Sequence, residues 1–399
     1  MPILDTATYL DRYADSMMGV FGRPKTVLTR GEGCYVWDAD GKRYLDLLAG
    51  IAVNALGHGH PALVDAVCRQ AESMIHVSNF FATPPQVELA ERLLAVAGAP
   101  KGSAVFFANS GSEAVEAAIK LSRRTGRPGL VAAEAAFHGR TTGALALTHK
   151  LAYREPFAPL IPWVTHVPLN DEAALRAAVD THTAAVFLEP IQGEAGVVAA
   201  DPAYLQLARE LTRATGALLV IDEVQTGVGR TGTWFAFQQA GVVPDAITVA
   251  KGLAGGVPIG ALVTFGPDIS GLLTAGQHGS TFGGNPLAAA AGLAVLETID
   301  KDGLLAHATA VGNYLADSVA ALSHPLIVGV RGSGLLRAIV LSADVSVVVA
   351  DRALSAGFIV NAPTPDALRL TPPLVVTTEQ IDTFVAALPA LLHGLAPSS

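Results

Sequence analysis

Residues 244–260 read PDAITVAKGLAGGVPIG. The apolar run Ala246–Ala250 has the length of a short buried strand, and it ends on Lys251 just before a turn carrying Gly252, Gly255 and Gly256. Lys251 is one of only 7 lysines, against 19 arginines, so it is not background charge. Burial disfavours an ammonium ion and lowers its pKa. Two readings follow: the side chain snorkels from the strand end to solvent, or the amine is kept for Schiff-base chemistry with an aldehyde. The glycines behind it let other groups approach the backbone closely.

The pattern around this stretch sets the fold class. From Ser103 onward, short apolar runs alternate with segments of helical period: AVFFA, then a helix to Arg123; LVAAE; VTHVPL; a helix at 172–179; AAVFLEP; a helix at 202–215; ALLVIDE; AITVA; and ALVTF. Strands alternating with helices predict an α/β domain built on a mostly parallel sheet. Ligands of such sheets lie outside the carboxyl ends of the strands, so the polar residues ending these runs are the candidates for chemistry. Ahead of this region, 34–37 and 44–48 read as two strands about the turn Asp38–Gly41. Behind it, a long Ala/Leu-rich helix starts at Pro286, and the tail from about 310 mixes helices with short strands. The expected division is an N-terminal segment 1–55 that joins the small domain, a large domain 56–300, and a smaller α+β domain 301–399.

With 399 residues and 51% hydrophobic content, the chain can bury a large core. A net charge of -9 without a dense Lys/Arg cluster argues against nucleic acid. No apolar run reaches the roughly 18 residues that span a bilayer. The acidic start MPILDTATYLDRYADSMM lacks a basic-then-apolar signal pattern, and the two cysteines, Cys34 and Cys68, are far apart. These features predict a cytoplasmic enzyme with no membrane and no metal site.

Asp222 ends the apolar run of ALLVIDE with no basic residue beside it, so its partner must come from elsewhere in the fold; a local turn is the plainer reading. Lys251 and Asp222, each at the end of its own strand, could hold opposite ends of one planar cofactor, aldehyde on the amine and ring nitrogen on the carboxylate, as pyridoxal 5'-phosphate requires. The strand–turn–helix AVFFANSGSEAVEAAIK places Ser110, Gly111 and Ser112 at a helix start, which is both an anion site for a phosphate and an ordinary capping box with Glu113. FHGR offers Phe137 as a flat ring and Arg140 as a bidentate carboxylate clamp; alone, either could be core or surface. Two signals mislead. Gly227–Gly232 matches GxGxxG but no convincing helix opens behind it. His58 and His60, beside Pro61, lack a third metal ligand at useful spacing.

Six segments occur in one order: NSGSEAVEAAIK, FHGRTTGALALT, FLEPIQGEAGV, LLVIDEVQTGVGRTG, AKGLAGGVPIGA and HGSTFGGNPLAAAA. With GEGCYVWDADGKRYLDLLAG near the start and LRLTPPL near the end, the chain resembles the class III, ornithine-type aminotransferases, a branch of the fold type I pyridoxal phosphate enzymes. The resemblance implies that Lys251 carries the cofactor and moves the proton, and that Asp222 keeps the ring nitrogen protonated. It implies that Gln225 contacts the ring hydroxyl, that Val224 packs opposite Phe137, and that Gly111 and Ser112 hold the phosphate. Thr281 would reach that phosphate from the neighbouring subunit of a homodimer with shared active sites, and Ser280 would lie near the substrate. Glu194 would pair with Arg369 while the amino donor is bound and release it to the α-carboxylate of 2-oxoglutarate, with Arg140 holding the far carboxylate in both half-reactions. GIAVNALGHGHPALV and the compact length are most similar to members that act on acetylated ornithine, implying N-acetylornithine as donor and 2-oxoglutarate as acceptor. Succinylornithine, ornithine and 4-aminobutyrate are the rival donors.

Overall fold

The computed structural model describes residues 4–396. Its centre is a seven-stranded sheet in the order Ala104–Ala108, Gly260–Thr264, Ala246–Val249, Leu218–Asp222, Thr183–Leu188, Gly129–Ala133, Val164–Val167. Strand Leu218–Asp222 runs parallel to both Ala246–Val249 and Thr183–Leu188, and Gly129–Ala133 runs parallel to Thr183–Leu188 and Val164–Val167. Every residue of Thr183–Leu188, Leu218–Asp222 and Ala246–Val249 is buried. That is why these strands read as continuous apolar runs rather than as alternation.

Gly260–Thr264 is antiparallel to both of its neighbours. Parallel strands need a crossover of a dozen or more residues, and residues 250–259 are too few for one, so the chain folds straight back beside Ala246–Val249. This hairpin brings Gly260 opposite Ala108, the end of Ala104–Ala108. A Cβ at Gly260 would lie 2.2 Å from the Ser110 carbonyl oxygen, so the start of helix Gly111–Arg123 is drawn against the same sheet edge. The carboxyl ends of the parallel strands and the first turn of that helix therefore share one edge.

Two four-stranded sheets and a two-stranded one, Ile191–Gln192 against Val198–Ala199, complete the fold among the described residues. Ile327–Ser333, Leu336–Leu341, Ala367–Leu370 and Asn361–Thr364 form an antiparallel sheet. Leu28–Glu32, Tyr35–Asp38 and Arg43–Asp46 form a meander, to which Phe358–Ile359 adds a parallel strand on Arg43–Asp46. Helix Pro286–Lys301 packs on Pro61–Ser73 and Pro84–Ala97. Its small residues allow the close approach: a Cβ at Gly292 would sit 2.9 Å from Leu89 Cδ2. Among the described residues no helix is long and apolar enough to cross a membrane, and no group of three His, Cys, Asp or Glu side chains is placed to hold a metal. His58 instead pairs with Asp46 at 2.8 Å.

Candidate active site

The sheet edge opens into a cavity of about 340 Å³ whose wall includes Ser110, Gly111, Ser112, Phe137, Asp222, Val224, Gln225 and Lys251. Eight of the sequence-derived site residues thus meet in one place. Glu189, just past the end of Thr183–Leu188, and His138 line the same cavity.

Lys251 follows strand Ala246–Val249 with φ +45°. A side chain held in that region is strained, and such strain collects at functional sites. Burial, and then the charge of Arg369, lower its amine to about 8, while Glu194, Asp222 and Glu189 pull the other way. A tenth or so of the amine is therefore neutral at pH 7, against almost none for an ordinary lysine.

Asp222 is 5% exposed. Its Oδ1 accepts from Thr248 Oγ1 at 2.9 Å and from the Val224 N–H at 3.1 Å, and its Oδ2 meets His138 Nδ1 at 2.7 Å. Each carboxylate oxygen has two lone pairs, so Oδ2 keeps one acceptor position for a group entering the cavity. His138 is the cation-capable partner that the sequence left unidentified. Burial pushes its pKa down, but the hydrogen bond and charge of Asp222 outweigh that and leave it raised. Its Nε2 is buried with no hydrogen-bond partner among the described residues. Glu189, raised to about 8 chiefly by burial, accepts from the Phe137 N–H at 3.1 Å.

At the other side of the cavity, Ser110 caps helix Gly111–Arg123: its Oγ accepts from the Glu113 N–H at 3.2 Å, and Glu113 Oε2 accepts in return from the Asn109 N–H at 2.5 Å. Ser110 is thus an N-cap, but Glu113 reaches back to the Asn109 N–H and not to that of Ser110, so the box is not closed in its usual form; the N–H groups of Gly111 and Ser112 have no acceptor within the helix, which leaves them available to an anion. Only glycine fits at 111, since a Cβ there would lie 2.9 Å from both methyls of Val224. Ser112 has a second engagement: its Oγ accepts from the Arg140 N–H at 3.2 Å. An acid, an amine and an anion cradle around one cavity fit a flat, phosphorylated, aldehyde-bearing ring such as pyridoxal phosphate.

Arg369, 1% exposed on strand Ala367–Leu370, bonds Glu194 Oε1 at 2.5 Å and Gln225 Oε1 at 3.1 Å through Nη1, and Asn361 Oδ1 at 3.0 Å through Nε. Burial pushes Glu194 up, but the charge and hydrogen bond of Arg369 hold its carboxyl below the ordinary range. Arg140 lies at the exposed rim, its guanidinium 5.5 Å from the Phe137 ring centroid and 3.6 Å from that of Tyr153. Ser280 and Thr281 stand apart. Ser280 Oγ accepts from Asn109 Nδ2 at 3.0 Å and lines a neighbouring groove, and Thr281 is exposed outside the cavity of its own chain. Gly227–Gly232 forms turns with no α-helix behind them.

His138, Thr248, Glu189 and Tyr153 join the site without having been assigned roles from the sequence. His138 was legible as a histidine inside FHGR, directly after Phe137 and two positions before Arg140, and Thr248 as the polar residue breaking the run AITVA. Tyr153 carried no such signal.

The family model "Aminotransferase class-III" matches residues 20–392. Acetylornithine aminotransferase of Mycobacterium tuberculosis is 56% identical over 97% of this chain and 96% of its own length. The structure of ornithine aminotransferase from Toxoplasma gondii with PLP in partial occupancy at its active site superposes with a TM-score of 0.91 at 30% identity, covering 96% of this chain and 93% of that one. Acetylornithine aminotransferase from Elizabethkingia anophelis superposes with a TM-score of 0.86 at 33% identity, covering 97% and 98%.

Proposed function

The chain belongs to the class-III aminotransferases, PLP-dependent enzymes of fold type I, and from that we propose that it is an N-acetylornithine:2-oxoglutarate aminotransferase of arginine biosynthesis. It takes the terminal amine of N2-acetyl-L-ornithine, leaving N-acetyl-L-glutamate 5-semialdehyde, and passes that amine to 2-oxoglutarate to give L-glutamate.

Pyridoxal phosphate, when bound, supplies the aldehyde that takes up the amine and a ring that withdraws electrons from the carbon bearing it. The residues around it divide the remaining work. Lys251, with its lowered pKa, would hold the aldehyde and supply the base that moves the proton at the amine-bearing carbon. Asp222, kept in place by Thr248, His138 and the Val224 N–H, would accept from the ring N–H. The N–H groups of Gly111 and Ser112 take the phosphate. Phe137 and Val224 would flank the ring, and Gln225, which holds Arg369, would reach the ring hydroxyl. Arg140 takes the far carboxylate of either substrate.

The observation that carries the substrate reading is the closed Glu194–Arg369 pair. Closed, it presents no free cation beside the amine-bearing carbon, which suits a donor whose terminal amine sits on a carbon without a carboxylate, as in N-acetylornithine and its ω-amino rivals alike; opened, Arg369 offers its fork to the α-carboxylate of 2-oxoglutarate. Single-turnover decay of the bound cofactor's visible absorbance, followed with N-acetylornithine, succinylornithine, ornithine and 4-aminobutyrate, tests this. N-acetylornithine is expected to be fastest, and a faster ornithine or 4-aminobutyrate overturns the assignment. Lys251→Ala is expected to remove both the band and turnover.

The working unit we propose is a cytoplasmic homodimer. Thr281 and Ser280 would then serve the partner's cavity and the substrate mouth. Supporting this, residues 75–81 run beside 280–287, with Asn79 Nδ2 bonding the carbonyls of Ser280 and Gly283, and Ile75, Phe80, Phe81 and Phe282 there are 55–89% exposed. Each chain divides, in this reading, into 56–300 and a second body in which 1–55 joins 301–399, the strand pairing of Phe358–Ile359 with Arg43–Asp46 being what supports the union.

A further inference from the structure

We propose that Tyr153 is a positioning residue for the carboxylate clamp: its ring seats the guanidinium of Arg140 so that the donor edge of the fork is free before substrate arrives. The proposal rests on the reading of Arg140 as the clamp.

Arg140 is exposed, and its side chain makes no ion pair or hydrogen bond among the described residues. An arginine in that state ordinarily samples many rotamers, and ordering it on binding costs affinity. Here it is held at both ends. Its backbone N–H donates to Ser112 Oγ at 3.2 Å, tying it to the first turn of the helix that begins the anion cradle. Its guanidinium carbon lies 3.6 Å from the Tyr153 centroid, closer than to Phe137 at 5.5 Å. A ring takes a guanidinium by its face, and the five N–H donors point outward in the plane. Stacking therefore fixes the group without consuming any donor, whereas an ion pair would have to break before substrate could bind.

Tyr153 is itself anchored. It sits in the short helix Leu151–Arg154, is partly buried, and its N–H donates to the Lys150 carbonyl at 3.0 Å. Lys150 places its ammonium 4.8 Å from the same ring. Tyr153 and Phe137 also line a second cavity, of about 380 Å³, that reaches Glu194. The ring that seats Arg140 and the carboxylate that pairs with Arg369 thus share one cavity wall.

The test uses holoenzyme and glutarate, a dicarboxylate that cannot accept an amine, titrated by its perturbation of the cofactor's visible band. Tyr153→Leu is expected to raise the glutarate Kd about two- to fivefold, the range of an exposed cation–π contact. Tyr153→Phe, which keeps the ring, is expected to bind like the parent. In an Arg140→Ala background, Tyr153→Leu is expected to cause no further loss. Equal glutarate affinity in the parent and Tyr153→Leu overturns the proposal, as does an equal loss with Tyr153→Phe or the same loss without Arg140. If Tyr153→Leu fails to retain cofactor, Tyr153→Met, which keeps bulk without a ring, takes its place with the same outcomes expected, and a loss with Tyr153→Phe means that the hydroxyl, not the ring face, is in use. A parent enzyme in which glutarate does not compete with 2-oxoglutarate fails differently, because it removes the clamp reading itself.

Discussion

At the residue scale, Lys251 sets a pH dependence whose sign can be worked out. Burial and Arg369 bring its amine to about 8, and only the neutral amine attacks an aldehyde. With the cofactor stripped, the neutral fraction rises from about a tenth at pH 7 to about nine-tenths at pH 9. Recapture of added pyridoxal phosphate, followed by stopped-flow absorbance, is therefore expected to speed up about ninefold over that interval and to level off above it. An ordinary lysine would keep gaining rate up to about pH 10, so a rate still climbing tenfold per unit above pH 9 overturns the assignment. Lys251 and Asp222 were legible because each is a polar residue ending an apolar strand, a conflict visible in one dimension. His138 was not, because what makes it part of the site is a 2.7 Å contact with Asp222 from 84 positions away. Tyr153 was hidden for the same reason: nothing in its neighbourhood marks a ring as the seat of Arg140.

At the scale of elements, Glu194 and Arg369 come from different sheets, Glu194 from the loop after the two-residue strand Ile191–Gln192 and Arg369 from the antiparallel strand Ala367–Leu370. Their pairing makes the relation between those elements a selector. Glu194→Gln leaves a hydrogen-bond partner for Arg369 but removes the neutralising charge. A charge-assisted hydrogen bond exceeds a neutral one by about 1–1.5 kcal/mol. The variant is therefore expected to favour substrates with an α-carboxylate: the ratio of single-turnover kcat/KM for glutamate over N-acetylornithine should rise about five- to tenfold. An unchanged ratio would mean that Glu194 does not govern access to Arg369. The elements themselves were mostly visible in the sequence, with ends off by a residue or two. Among those that escaped were Leu28–Glu32, whose exposed pattern gives no apolar alternation, the short helices Thr142–Leu147 and Leu151–Arg154, and the short strands Ile191–Gln192, Val198–Ala199, Phe358–Ile359 and Asn361–Thr364. The antiparallel course of Gly260–Thr264 also departs from the expected parallel rule, and the shortness of its connection from Lys251 accounts for it.

For the whole molecule, the position of Thr281 is the informative fact. It lies outside the cavity formed by its own chain, while the residues proposed to share its phosphate, Gly111 and Ser112, lie inside. A two-fold dimer that exchanges this segment would complete two equivalent sites, each built from both copies. Complementation distinguishes that arrangement from two independent chains. Take Lys251→Ala in one copy and Thr281→Asp in the other, the second placing a carboxylate against the phosphate. Each homodimer is expected to be inactive or to hold cofactor poorly. After the two are mixed, dissociated and reassociated, about half of the dimers are hybrids, and each hybrid has one site with an intact Lys251 facing an intact Thr281 and one site with neither. The mixture should recover about a quarter of the parental activity per chain. Two self-sufficient chains would recover none, because no single chain then carries both intact residues. Recovery near zero, with hybrid formation verified by native mass spectrometry, would place Thr281 in its own subunit's site, and a Thr281→Asp homodimer as active as the parent would place it in none. Recovery near a quarter would make the lysine's site a property of the pair.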